Sequence, residues 1–312
     1  MESTKTTRSA TEGLGAVKQV DASPTMAATV PLAATADEQG TDARRIWTWV
    51  AVPGLAILAV ATIGPLVWIV IRSMSGDGLA NYVELLSPVY LRSFAQTIYF
   101  SLLVAVVTTV ISYPFAYAIK VGPTWLKAVL ISTLVIAFAS ADVSRTFGWQ
   151  TLLQNTGVIN VVLLDWGWIE TPLPLMYNDF GAVLGTSSVL LPFGVLTIFA
   201  NIRNVNPDVV VAAQTLGASR LSAVLRILVP MTIPGIAISA GLVFVLTLGF
   251  YVTPARLGDP TRPMITGLIV EATSFGNFER AAALSVVLLL LTLVIGGIVS
   301  GVTTIVRKRA GK

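Results

Sequence analysis

Three carboxylates, Asp142, Asp179 and Glu271, and one guanidinium, Arg145, stand at the borders of long uncharged stretches of this sequence. A charge at such a border usually faces a pathway, a cavity or an opposite charge, because lipid does not solvate it. Along a cavity, the carboxylates would pair with a passing cation such as an ammonium. The competing assignment for each acid is a solvated loop residue, or one neutralised by Arg145, Arg256 or Arg280. Other chemistry is sparse. The chain has no His and no Cys, which removes imidazole and thiolate metal sites, disulfides, and His-assisted or Cys nucleophiles. The phosphate-cradling pattern G-x-x-x-x-G-K-[ST] is absent as well. ATP, if it is used, is therefore expected on another chain, and no cofactor or metal is expected on this one.

The stretches that position these groups are membrane-sized. Of 312 residues, 54% are apolar and 12% charged, against about 45–50% and about 25% in ordinary soluble domains. Uncharged runs such as Ser93 to Ile119 and Ile227 to Ala255 exceed the roughly 20 apolar residues that cross a bilayer core. The composition excludes an ordinary soluble enzyme and predicts an all-α polytopic membrane protein. Six spans are expected, over Trp47 to Ile71, Phe94 to Ile119, Thr124 to Ala141, Phe180 to Ala200, Thr232 to Thr253 and Ala281 to Ile305. Residues 1–43 have no aromatic residue and a polar, small-residue composition, so a disordered cytoplasmic tail is expected there, with residues 44–312 forming the membrane domain. Polar residues follow Lys5 and Arg8, so the first span reads as an uncleaved insertion signal.

Orientation follows from the basic residues near the span ends. One face collects eleven, including Arg44, Lys120, Lys127, Arg203, Arg220, Arg226 and Arg307, and the other six, alongside nine acids. Both termini are expected in the cytoplasm. The net charge of +4 is explained by this topology; no basic patch interleaved with aromatic residues points to nucleic acid. The uncharged segment from Thr146 to Leu164 holds Gln150, Gln154, Asn155 and Asn160, which lipid would leave unsatisfied, so it belongs in protein or at the outer interface rather than in a seventh span.

The cytoplasmic loop over residues 203–230 has the grammar of two short helices. Asn206 can cap the first, Pro207 suits its first turn and Asp208 complements its dipole. Gly217 is placed to terminate it in the left-handed conformation. Ser219 can cap the second, on which Leu221, Val224, Leu225 and Leu228 recur at helical spacing. Pro230 and Pro234 are expected to end that helix and start the next span.

Within this loop Ala212, Ala213, Gly217, Ile227 and Pro230 fall on a spacing that resembles the cytoplasmic signature loop of ABC importer permeases, with Leu216 and Ala218 flanking the glycine. Val211 stands where the family usually has Glu, which removes a possible ion pair with the ATPase subunit. The order of Asn81 and Tyr82, Tyr113 to Tyr117, Arg145 with Gly148 and Trp149, Gly157 with Asn160, Leu191 to Phe193, and Val252 to Pro254 with Gly258 resembles the spermidine/putrescine branch.

The resemblance implies a type I ABC importer permease-like bundle with cytoplasmic coupling helices. It implies a multi-pass permease of the bacterial inner membrane, importing polyamines or a related small amine. The implied partners are a dimer of P-loop ATPase subunits carrying ATP and Mg²⁺, a second homologous permease, an extracytoplasmic substrate-binding protein and the lipid bilayer. Its coupling contact would be Ala212, Ala213, Leu216, Gly217, Ala218, Ile227 and Pro230, and its substrate path would include Asp142, Arg145, Asp179 and Glu271. Importers of opines, thiamine, iron or sulfate share the loop. A secondary transporter would normally show internal repeats and mid-membrane ionisable residues, and a channel a filter motif; neither is found.

Overall fold

The computed structural model describes residues 35–76 and 78–310, with side chains over 52–76, 78–301 and at 304. Most of the expected tail, Asp77 and Lys312 lie outside the described residues. Two units divide the chain, Met1–Ala61 and Thr62–Lys312. The first contains the beginning of helix α1 (Thr35–Ser73), which starts ahead of the boundary expected at residue 44.

The second unit holds the remaining helices. They are α2 (Ala80–Glu84), α3 (Pro88–Val121), α4 (Thr124–Ala139), α5 (Asp142–Leu153), α6 (Val158–Asp165), α7 (Asp179–Ile202), α8 (Asp208–Thr215), α9 (Arg220–Ala223), a π-turn (Val224–Leu228), α10 (Val229–Leu248), α11 (Val252–Leu257), α12 (Ile265–Ser274) and α13 (Phe278–Ala310). Among the described residues five helical stretches are long and apolar enough to cross a membrane. Counting α4 with the α5–α6 pair as one broken span, bent by 106°, makes six. The bend falls at Ser140, whose extended backbone (φ −76°, ψ 133°) closes α4. Outward side chains such as Val110, Ile136 and Leu293 are more than half exposed, which suits lipid rather than water.

At the centre, α3, α7 and α10 pack against one another, and α13 covers α10. Small residues make this approach close. A Cβ on Gly194 would run into Ser112 of α3, and one on Gly235 into Asn201 of α7. Hydroxyls bridge the same seams: Ser112 Oγ donates to Leu191 O (3.5 Å) and Ser239 Oγ to Gly194 O (3.3 Å). Phe100, Val104, Leu190, Val243 and Leu257 form one apolar core, while Ile119, Leu134, Val195, Ile198 and Ile202 form another nearer the Lys120 end of α3.

The segment from Thr146 to Leu164 forms two short helices rather than a span, as its polar residues require. Asn160 is fully buried. Its amide donates to Gln154 O (3.2 Å) and Leu173 O (3.1 Å) and accepts from Leu173 N (2.8 Å), so its polar atoms are satisfied by protein.

Candidate functional site

Two regions carry features beyond packing, and the first is the loop from Arg203 to Pro230. Asn206 Oδ1 accepts from Asp208 N (2.9 Å) and opens α8. At the other end Gly217 takes φ +92°. Ala218 N donates to Ala213 O (3.0 Å) and Gly217 N to Gln214 O (3.0 Å), the paired bonds of a Schellman termination. Ser219 Oγ then accepts from Ser222 N (3.2 Å) and caps α9. The Gly217 termination and the Ser219 cap expected from the sequence are therefore formed, while Asn206 binds Asp208 N from one residue ahead of the N-cap position at Pro207.

One expectation for this loop needs correction. The helix does not end at Pro230: α9, the π-turn and α10 form one continuous helical stretch, Arg220–Leu248. Pro230 lacks the N–H that an α-helix would pair with Arg226 O, and its ring crowds that carbonyl. The π-turn, closed by Val229 N on Val224 O, widens the backbone just ahead of the proline and lets the helix continue through it. The apolar stripe packs only in part inside this chain. Leu228 is buried, but Leu221 is 68% and Leu225 56% exposed.

Those leucines belong to an open apolar surface. Leu216 at the tip is 89% exposed, and Val211 is also exposed. Of the expected contact residues, Ala212, Gly217 and Pro230 are exposed, Ala218 and Ile227 half-buried, and Ala213 buried beneath them. Exposed apolar groups on a short loop suit an interaction surface.

The second region is a cavity of about 200 Å³ whose lining includes Gln96, Asp179, Tyr251, Asp259, Arg262 and Glu271. Asp179 lies in the first turn of α7, capped by Asn178 Oδ1 on Gly181 N (2.9 Å), where the helix dipole favours its charge. Gln96 Nε2 donates to Asp179 Oδ1 (3.4 Å). Arg262 reaches two acids, Asp259 through Nε (3.1 Å) and Asp179 through Nη2 (3.6 Å). Thr261 donates both its backbone N–H (2.8 Å) and its hydroxyl (2.7 Å) to Asp259 Oδ1. These Thr261 bonds, with Arg262 next in weight, hold the Asp259 carboxyl below its usual range, and the Asp259 bond in turn raises the Arg262 guanidinium. Glu271 is exposed and makes no ion pair among the described residues.

The four charged residues singled out from sequence thus divide between two places. Asp179 and Glu271 share this cavity. Asp142 and Arg145 line a different one of about 220 Å³, with Phe138 and Phe193 stacked edge to face at 5.1 Å. There Arg145 Nη2 binds Asp142 Oδ1 (2.8 Å), and its Nη1 donates to Ser188 O (3.4 Å). Asp142 is thereby neutralised by Arg145, which was the competing assignment for it. Sequence reasoning missed Gln96, Tyr251, Asp259 and Arg262. Only Asp259 with Thr261 and Arg262 carried a local signal, an aspartate whose side chain folds back onto the residues two and three ahead.

Among the described residues no group of three or more acids, His or Cys can hold a metal ion. Carboxylates spaced around a cavity, with Arg262 between two of them, suit an extended organic cation better than a compact metal ion, which needs several ligands converging at one point.

No family model matches the chain. It is 29% identical over 219 residues, 70% of this chain and 78% of the relative, to the spermidine/putrescine transport system permease protein PotB of Escherichia coli (strain K12). To the PotB of Haemophilus influenzae it is 24% identical over 241 residues, covering 73% of this chain and 80% of that one. In fold it matches a chain of a bacterial alginate ABC transporter, crystallised with a periplasmic protein bound to an alginate pentasaccharide, at a TM-score of 0.65 with 21% identity, over 83% of this chain and 94% of the other.

Proposed function

We propose that this chain, similar in sequence to spermidine/putrescine permeases and in fold to a chain of an ABC transporter, is one membrane half of an ATP-driven, binding-protein-dependent importer for polyamines or a related small amine. The observation that carries the reading is the exposed, doubly capped two-helix loop, with Leu216, Leu221 and Val211 open to a partner and its shape set by the left-handed Gly217. ATP and Mg²⁺ belong to P-loop subunits beneath it, and this chain binds neither. Ala212, Leu216, Gly217, Ala218 and Pro230 form the docking face, with Ala213 and Ile227 supporting it. Closure of the ATPase pair displaces the loop and switches the permease between two packed arrangements.

A second, homologous permease completes the path, and an extracytoplasmic binding protein delivers the substrate. The acidic cavity supports a cationic cargo: Asp179 and Glu271 offer carboxylates to ammonium groups, and Tyr251 an aromatic wall. Asp142 and Arg145, already paired, line the path nearer the aromatic pair. The distribution of basic residues supports both termini being cytoplasmic.

The test is to tag the protein at its C-terminus, extract it from its native membrane in mild detergent, and identify by mass spectrometry what co-purifies. A P-loop ATPase and a second permease are the expected companions, after which the accompanying binding protein is screened against spermidine, putrescine, opines, thiamine and inorganic ions. Recovery of the folded chain alone, or as a homo-oligomer, would overturn the importer reading. A binding protein selective for an anion would overturn the amine.

A further inference from the structure

We infer that Lys120 and Tyr113 are positioning residues that fasten both roots of the coupling loop to a single helix, α3. The inference rests on the loop being the ATPase-docking element.

The first root is the end of α7. A helix leaves its last four carbonyls without partners, and they carry the negative end of its dipole. Lys120 Nζ donates to Ile202 O and to Val205 O, each at 2.8 Å. One ammonium thus binds the last carbonyl of α7, which also accepts from Val205 N (3.1 Å), and the carbonyl of the third loop residue at once, through charge-assisted bonds. No carboxylate among the described residues pairs with Lys120; its counter-charge is the helix end itself.

The second root is the start of α10. Tyr113 Oη lies 3.0 Å from Thr232 Oγ1. Thr232 Oγ1 in turn approaches Leu228 O (2.9 Å) and Val229 O (3.1 Å), where the π-turn meets α10. Tyr113 is therefore linked, through one hydroxyl, to the backbone segment that Pro230 has already forced out of α-helical spacing. That segment is where a pull on the loop would distort the chain first, since its wider turn is the least regular part of the stretch.

Tyr113 and Lys120 are seven residues apart, so they fall on the same face of α3, two turns from each other. Between them Ala116 is fully buried and packs with Ile198 and Ile202. One face of one helix thus holds the chain as it leaves α7 and as it re-enters at α10. A displacement of the loop is passed to α3 as a rigid shift rather than lost in the two loop ends. Topology alone does not require these bonds: charge counting is satisfied by any basic residue nearby, whereas Lys120 Nζ meets two backbone carbonyls at 2.8 Å.

The experiment uses the assembled complex in proteoliposomes, with spermidine and putrescine as probes, and measures three quantities for each variant: ATPase subunit retained, ATP hydrolysed, and amine taken up per ATP. Lys120→Met and Tyr113→Phe should each keep the ATPase and its hydrolysis but lower uptake per ATP by about threefold to tenfold. Lys120→Arg, which can still donate to both carbonyls, should restore most of it. Wild-type ratios in both variants would overturn the clamp, as would equal losses in Lys120→Met and Lys120→Arg. Should Lys120→Met fail to accumulate, Tyr113→Phe, which removes a single hydroxyl, decides the matter. A wild-type complex that retains no ATPase overturns the docking loop itself, an outcome distinct from failure of the clamp alone.

Discussion

Gly217→Val isolates the conformational part of the proposed coupling loop from its packing. The residue sits at φ +92°, and a Cβ added there meets nothing within 4 Å. Steric collision with the rest of the protein therefore contributes no cost, and the whole penalty comes from the backbone. For an ordinary L-residue the left-handed region costs about 1–2 kcal/mol; a β-branched side chain lies at or beyond the upper end, at about 2–3 kcal/mol. At about 1.4 kcal/mol per tenfold, Val should cut the population of correctly shaped loop by ~30-fold or more and Ala by roughly tenfold. Asn, which tolerates this region, should cut it least. Reconstituted complexes should show ATPase affinity and uptake falling in the order Gly, Asn, Ala, Val, with insertion unchanged. The same order should not appear at Gly148, where a Cβ also meets nothing and φ is not left-handed. Full uptake by an expressed Gly217→Val variant, or an Asn variant worse than Val, would refute the argument.

Three further outcomes are expected. Arg262→Gln frees Asp179 and Asp259 from their tethered cation and should lower KM for a diamine, whereas Asp179→Asn should raise it, each by up to about fivefold because the groups are partly exposed; shifts in the same direction would count against the cation-binding role. Asp259 ionises below the ordinary carboxylate value, so its ordering of the loop is fully present above that value, about 3.9, and is lost only as pH falls through the depressed one; an NMR titration of its carboxyl with a midpoint at or above about 3.9 would contradict this. Leu228→Ala, at a buried site, should destabilise the fold by about 2–5 kcal/mol, while exposed Leu221→Ala should shift stability by less than about 0.5 kcal/mol yet weaken ATPase retention. Thermal unfolding in detergent and pull-down of the ATPase separate the two.

The signals that proved legible were local. Asn206, Gly217 and Ser219 each act on backbone groups two to five residues away, so the sequence window that names them also contains their partners. The deep polarity of the Thr146 to Leu164 segment was legible for the same reason, since residues such as Asn160 had to find protein partners wherever they lay. What failed depended on distant groups. Pro230 signals a helix stop, and nothing nearby announces that a π-turn will absorb its ring. No glycine or proline marks the bend at Ser140. Asp179 and Arg262 are brought together only by the packing of α7 and α11 against the loop that follows Leu257.

The leucine stripe of the coupling loop joins the two cases. Helical periodicity at Leu221, Val224, Leu225 and Leu228 says that an apolar face exists, but not what it faces. In this chain Leu228 is buried and Val224 half-buried, with Leu221 and Leu225 left open. Up to that point the stripe is held by the chain's own bundle, through Leu228 and through Thr232 to Tyr113. Leu221 and Leu225 are exposed, as are Leu216 and Val211 in the same loop. Val211 then bears on partner choice: where the resembling family usually has a glutamate, this chain presents one more apolar group. The groove that receives it should be correspondingly apolar, because an unpaired arginine or lysine buried against Val211 would cost more than the contact returns. Val211→Glu in the assembled complex should therefore weaken ATPase retention rather than strengthen it, and tighter binding by that variant would show that the groove keeps a basic residue.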